Sequence, residues 1–253
     1  MTRDVINFQK EAGDPGLRLV SDNVDIPEPT PIKKQFVNFM FLKVGTDWRK
    51  LDSETKATYK QEFLELFEPF RSEFLLFSYS LVGFDSKADL MLWRIGDSLD
   101  MVQDMTARMY RSHFGSFMET VDNYLSVTKG MMFIDGSVED RSRVEAGTGK
   151  YHFIYPCVKN LDWYEMPDAE RDALIEENFM VGRRFPNIEI HLTHAFGFND
   201  YEYLISFETD EPKDFLALAE ELREAPASRF TLRGMPVYTC RQRSLIECLD
   251  ALG

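Results

Sequence analysis

The chain is poor in the features that most often reveal a chemistry. Its three cysteines, Cys157, Cys240 and Cys248, form an odd set with no CxxC spacing, which argues against a disulfide framework and against a cysteine-held zinc. Histidine is scarce as well. His113 closes a helical pattern, where a cation offsets the dipole, and His152 opens a strand. His191 and His194 stand three apart in HLTH; on a strand that spacing sends the two rings to opposite faces, so they cannot share one metal. On that reading His191 belongs to the surface or to an interface.

Positive charge is in deficit, with 29 Lys and Arg against 43 Asp and Glu, a formal net charge of −14. Such a surface repels a phosphate backbone or an anionic membrane, and no nucleic-acid partner is expected. No segment approaches the roughly 18 apolar residues of a membrane span. The N-terminal MTRDVINFQKEAGDPG lacks the apolar core of a signal peptide. Together these predict a cytoplasmic protein without a membrane span.

Apolar and aromatic side chains are abundant, at 44% and 13%, enough for one large core or two fused small ones. Residues 1–34 are polar and proline-bearing and read as an extended arm. The first half, 35–134, runs strand (35–44), helix (53–74), strands (73–84 and 88–96), helix (99–117) and strand (123–129), a β-α-β-β-α-β order. Residues 135–150, with glycines and charges but no apolar period, read as the linker between halves. The second half, 151–253, repeats the order with strand 151–158, helix 167–181, strands 188–197 and 201–208, helix 211–224 and strand 229–239. The fold class is therefore α+β, a duplicated ferredoxin-like subunit with antiparallel sheets and helices on one side. Pairing two such sheets closes a barrel-like core and leaves edges for ring assembly. In FETDEPKDF (207–215), Asp210 is placed to cap a helix, and the acids there read as a strand end rather than a catalytic array. Cys157 reads as a small buried hydrophobe, and the methionines, among them Met105 and Met109, read as core filling.

KADLMLWRI (87–95), YHFIYPCVKNLDWYEMP (151–167), EENFMVGRRFPNIEIHLTHAFG (176–197) and FGFNDYEYLISFETDEPKDF (196–215) resemble the chlorite dismutase and coprohaem decarboxylase superfamily. The resemblance covers about four fifths of the chain, roughly Phe36 to Cys240. It implies a dimeric α+β barrel, usually pentameric, with haem in the second half. In the haem enzymes of this kind a histidine on the second-half helix binds iron, and a glutamate near the last strand accepts its other ring proton. Here the pattern Glu-His-x-x-x-Gly-x-x-Tyr-Pro places Asn178 at the ligand position. REAPASRFTLR (223–233) places Pro226 where the family has the glutamate.

The resemblance further implies that Ile190 occupies the distal position of the chlorite-splitting arginine, so no cation stands there to hold the anion, and chlorite chemistry is not expected. Tyr155 and Lys159 match the tyrosine and lysine that act in coprohaem decarboxylation, with Trp163 as an aromatic neighbour. They are catalytic only if haem is bound, and both are equally ordinary sheet residues. His194 would project from the distal face, either as an alternative metal or iron ligand or as pocket filling.

Two functions stay open. One is a family descendant without normal axial haem ligation and with no cofactor, serving as an oligomeric binding or scaffold subunit, by itself or within a larger protein assembly, and more a non-enzyme than an enzyme. The other is a haem-dependent oxidoreductase, of peroxidase or coprohaem decarboxylase type, that uses haem b or coprohaem with a non-standard iron ligand.

Overall fold

The computed structural model describes residues 34–70, 72, 74–134, 137–141, 143–144, 146–232 and 236–253. The arm read at 1–34 lies outside them except for Lys34. Strand β1 (Phe36–Val44) leads to helix α1 (Ser53–Glu65), strands β2 (Phe74–Ser80) and β3 (Leu90–Gly96), helix α2 (Leu99–Arg111) and strand β4 (Met118–Thr128). A hairpin, β5 (Gly130–Ile134) and β6 (Ser137–Arg141), follows. Strand β7 (Tyr151–Lys159) then opens the second half, with short helix α3 (Leu161–Glu165), helix α4 (Asp168–Arg183), strands β8 (Ile188–His194) and β9 (Tyr203–Thr209), helix α5 (Pro212–Glu224), strands β10 (Thr231–Leu232) and β11 (Tyr238–Gln242), and terminal helix α6 (Leu245–Asp250).

The duplication is visible in the topology. The first half pairs as β2-β3-β1-β4 and the second as β8-β9-β7-β11, the same 2-3-1-4 order counted within each half. All the pairings are antiparallel, β4 meets β8 and β11 meets β2, so eight strands close into a barrel. Both seams between halves are short. Val127 and Thr128 face His194 and Thr193 at one, and Tyr79 and Ser80 face Gln242 and Arg241 at the other.

Most of the barrel strands therefore bury side chains on both faces. Inside the barrel lie Val37, Phe39, Phe41, Tyr79, Met91, Trp93, Tyr124, Ile154, Leu204, Tyr238 and Cys240. Phe41 stacks on Tyr238 at 3.8 Å between centroids, the way a small barrel is filled by side chains. On the outer face of the first sheet, Met40, Leu42, Phe63, Met105, Met109 and Leu249 pack beneath α1, α2 and α6. Helix α1 starts because Asp52 Oδ1 accepts the N–H groups of Glu54 and Thr55, a side-chain cap for otherwise orphaned donors.

Three local expectations need correcting. The connection read at 135–150 as the linker between halves, without an apolar period, carries strand β6 over its first part. The last strand is broken: β10 pairs with Val158 and Lys159 while β11 pairs with Tyr151 to Ile154 on the same edge of β7. Asp210 does not cap α5; its Oδ1 accepts the Lys150 N–H, and Glu211 sits at the cap without a side-chain bond. Among the described residues, no helix is long and apolar enough to cross a membrane.

Candidate functional site

The outer face of the second sheet, beneath α4 and α5, is where the sequence places its candidate site. Alternation along the strands sends Phe153 and Tyr155 of β7, Ile190 of β8 and Ile205 and Phe207 of β9 to this face. There they pack with Val181, Phe215 and Leu218 of the two helices. Phe153 and Phe215 stack at 3.8 Å, and the Tyr155 ring meets Phe207 and Phe215 edge-on at 5.7 and 5.8 Å. Burial raises the Tyr155 hydroxyl above the ordinary phenol range. Helix α4 lies close on β8: a Cβ at Gly182 would come within 2.7 Å of Ile190 Cδ1. Asn178, one turn earlier on α4, is half-buried, and its Oδ1 is buried without a donor.

Tyr155 and Ile190 thus share one cluster, but the other candidates lie elsewhere. Lys159 Nζ donates to Ala227 O at 3.2 Å and Thr231 Oγ1 at 2.9 Å and lies 4.4 Å from the Trp163 ring centre. Trp163 packs with Met166, Ala227 and Phe230. Lysine and tryptophan are therefore committed to the 3-10 turn Pro226–Phe230, whose first residue, Pro226, is exposed. His194 is on the same face of β8 as Ile190 but four residues on, roughly 13 Å along a strand. Its ring touches Phe196 and Tyr203, and its Nε2 is buried without a partner. Burial, with smaller contributions from Lys129 and Lys34, pushes its pKa down to about 4, so the ring is neutral at pH 7.

The inner face of the same strands holds a polar cluster that sequence reasoning missed. His191 is not a surface or interface residue: it is buried, and its Nε2 lies 3.0 Å from Glu208 Oε2. Glu208 also accepts the Tyr79 hydroxyl at 3.2 Å and the Gly147 N–H at 3.1 Å. His152 stands beside them, wholly buried, its ring centre 4.5 Å from that of Trp93 and 5.2 Å from that of Tyr79. Among the described residues, neither of its ring nitrogens has a hydrogen-bond partner. The signal that could have found the cluster was phase: Leu204, Ser206 and Glu208 alternate with the outward Ile205 and Phe207. Among the described residues, no group of three or more His, Cys, Asp or Glu is disposed to hold a metal ion.

A family model described as chlorite dismutase matches residues 56–243. The chain belongs to the chlorite dismutase family. Among curated relatives, it is 26% identical to a coproheme decarboxylase of Mycolicibacterium smegmatis over 162 residues, covering 64% of this chain and 70% of that protein. It is 22% identical to the chlorite dismutase of Ideonella dechloratans over 206 residues, 78% of this chain and 72% of that one. A solved arginine-to-lysine variant of the chlorite dismutase from Candidatus Nitrospira defluvii superposes with a TM-score of 0.79 at 23% identity, covering 85% of this chain and 94% of the other. A protein of Thermus thermophilus titled a novel heme-binding protein superposes at 0.73 and 19%, covering 86% and 94%. These solved structures share the chlorite dismutase fold of paired ferredoxin-like halves, as the sequence predicts.

Proposed function

We propose that this protein is a divergent member of the chlorite dismutase family that does not hold haem through an axial histidine and serves as an oligomeric binding or scaffold subunit. The observation that carries this reading is the paired substitution of a ligand and its orienting partner. Asn178 offers a carboxamide, a poor iron ligand, and Pro226 has no acceptor side chain with which to orient an imidazole. The residues present do not fit haem held in the family manner.

The packing supports the same reading. Tyr155 is enclosed by Phe207 and Phe215, Ile190 abuts α4, and Lys159 is held by Ala227 and Thr231. Among the described residues, neither Tyr155 nor Lys159 is paired with a group that would activate it. With Ile190 in place of a distal cation, stabilisation of a chlorite-derived anion has no source at that position. A homo-oligomeric, pentameric ring in the cytoplasm, with halves at 35–134 and 151–253, completes the proposal.

A second reading has one specific observation in its favour. His194 is neutral, with an unpartnered buried Nε2, the form in which imidazole ligates a metal. On that reading the protein is a haem-dependent oxidoreductase with a non-standard ligand.

The two are separated by titrating haem b and coprohaem into the native protein and an Asn178→His variant, following the Soret band. The scaffold reading expects weak, unsaturable uptake by the native chain, tighter uptake by the variant, and an oligomer by analytical ultracentrifugation with no porphyrin added. Tight stoichiometric uptake by the native chain that disappears in His194→Ala would establish the second reading instead.

A further inference from the structure

The two half-barrels meet along short backbone seams, and the interior adds side-chain ties: Ser126 Oγ pairs with Thr193 Oγ1 at 2.8 Å across β4 and β8, and a larger tie lies at the other seam. At the β2–β11 seam, Tyr79 faces Gln242, and its hydroxyl reaches inward to Glu208 on β9. The same carboxylate holds His191 of β8 and the Gly147 amide of the connection between halves. One side chain therefore joins the first sheet, the second sheet and their connection. The geometry at Gly147 is specific: its φ is +80°, and a Cβ there would lie 2.3 Å from Phe77, so the chain is threaded closely to bring that N–H to the carboxylate.

Directly behind the tie is His152. In register it faces Glu208 on one side and Cys240 of β11 on the other, so parting β11 from β2 brings water to it. While the barrel is closed, its two ring nitrogens have no partner and its neighbours Phe39, Tyr79 and Trp93 are aromatic. A charge placed there is poorly solvated. The titratable groups facing the cluster are Tyr79 from β2, His152 from β7, His191 from β8, Glu208 from β9 and Cys240 from β11.

We propose that the barrel is closed by an acid-labile latch, in which Glu208 ties the β2–β11 seam and the connection between halves from inside, and protonation of His152 opens it.

The titration of both groups runs in this direction. Burial pushes the His152 pKa down from 6.5 to about 3, so it is neutral when closed and gains a proton when exposed. The drive to open therefore grows as pH falls below 6.5. Burial acts to raise the Glu208 carboxyl, but the His191 hydrogen bond, the nearby histidines and the Gly147 amide outweigh it and hold it below the ordinary 4.5. Its contribution is present above 4.5 and is lost as pH falls through that lowered value.

Amide hydrogen exchange by mass spectrometry on the full chain tests the latch, using peptides spanning 143–150 and 238–243, with 36–44 as the internal reference. After correction for intrinsic rates, protection of the first two is expected to fall at least about tenfold between pH 7.5 and 5.0 while the reference holds. His152→Phe, an aromatic replacement among aromatic neighbours, is expected to abolish that fall. Tyr79→Phe, which removes the seam bond alone, is expected to lower protection of 238–243 at both pH values. Seam protection in the native chain that does not change with pH overturns the proposal, whether or not the variants fold. A fall of equal size in His152→Phe overturns it as well.

Discussion

Gly149 shows how tightly single positions are held around the interior cluster. A Cβ there would lie 2.4 Å from the Thr209 N atom and 2.8 Å from the Glu208 carbonyl carbon. Both are backbone atoms of a paired strand, which cannot yield as a side-chain tip can. Gly149→Ala is expected to cost about 1–3 kcal/mol by overpacking, read as a lower urea midpoint with an unchanged slope. Gly182 differs, because the atom a Cβ would meet is the terminal methyl of Ile190, and Ala there is expected to change stability by less than about 1 kcal/mol. At this scale the proposed loss of haem ligation is legible in the sequence, since it rests on the carboxamide of Asn178 and the proline at 226. It does not show that Lys159 spends its ammonium on Ala227 and Thr231, because both partners arrive from a turn some seventy residues away.

Elements are held together by buried polar bonds as well as by apolar packing. Arg94 of β3 is 1% exposed and has no carboxylate among its hydrogen-bond partners. Its Nε and Nη2 donate to Asn38 Oδ1 of β1, and its Nη1 donates to Thr106 Oγ1 and Val102 O of α2. Burial alone draws its pKa down to about 10, and it stays charged at pH 7. Asn38→Ala would strand this cation and is expected to cost about 2–4 kcal/mol, measured by chemical unfolding. Arg94→Met, which removes the charge along with its need for partners, is expected to cost less. Element order and most strand positions were legible because each run alternates or repeats with the right period. The assignment of faces was not, because in a barrel with helices outside both faces of a strand are buried, and alternation no longer separates core from solvent. That is why the sequence, which places His191 on the face opposite His194, assigns it to the surface or an interface, and why Glu208 reads as part of an acidic strand end.

The whole molecule inherits its pH response from buried groups whose charged forms are disfavoured or specifically held. His152 at about 3 and His194 at about 4 are both depressed by burial from 6.5, and Glu208 lies below 4.5. For the histidines, the unfolded chain binds the extra protons as pH drops below 6.5, and for Glu208 it does so around 4.5. All three therefore lower stability on acidification. Full stability is expected above pH 6.5, with a monotonic loss toward pH 4 seen as a falling Tm. His152, wholly buried, contributes on the order of a few kcal/mol to that loss, and His194 contributes less, since it is only partly buried. The family match spans residues 56–243 and the barrel strands run from Phe36 to Gln242, while the proposed loss of haem ligation rests on two positions within them.

The most direct test of that central claim is a stoichiometric titration of the native protein with haem b and, separately, coprohaem, monitored by absorbance. No saturable Soret band is expected with either porphyrin at micromolar protein. A sharp one-to-one endpoint with a ligated-haem spectrum would contradict it.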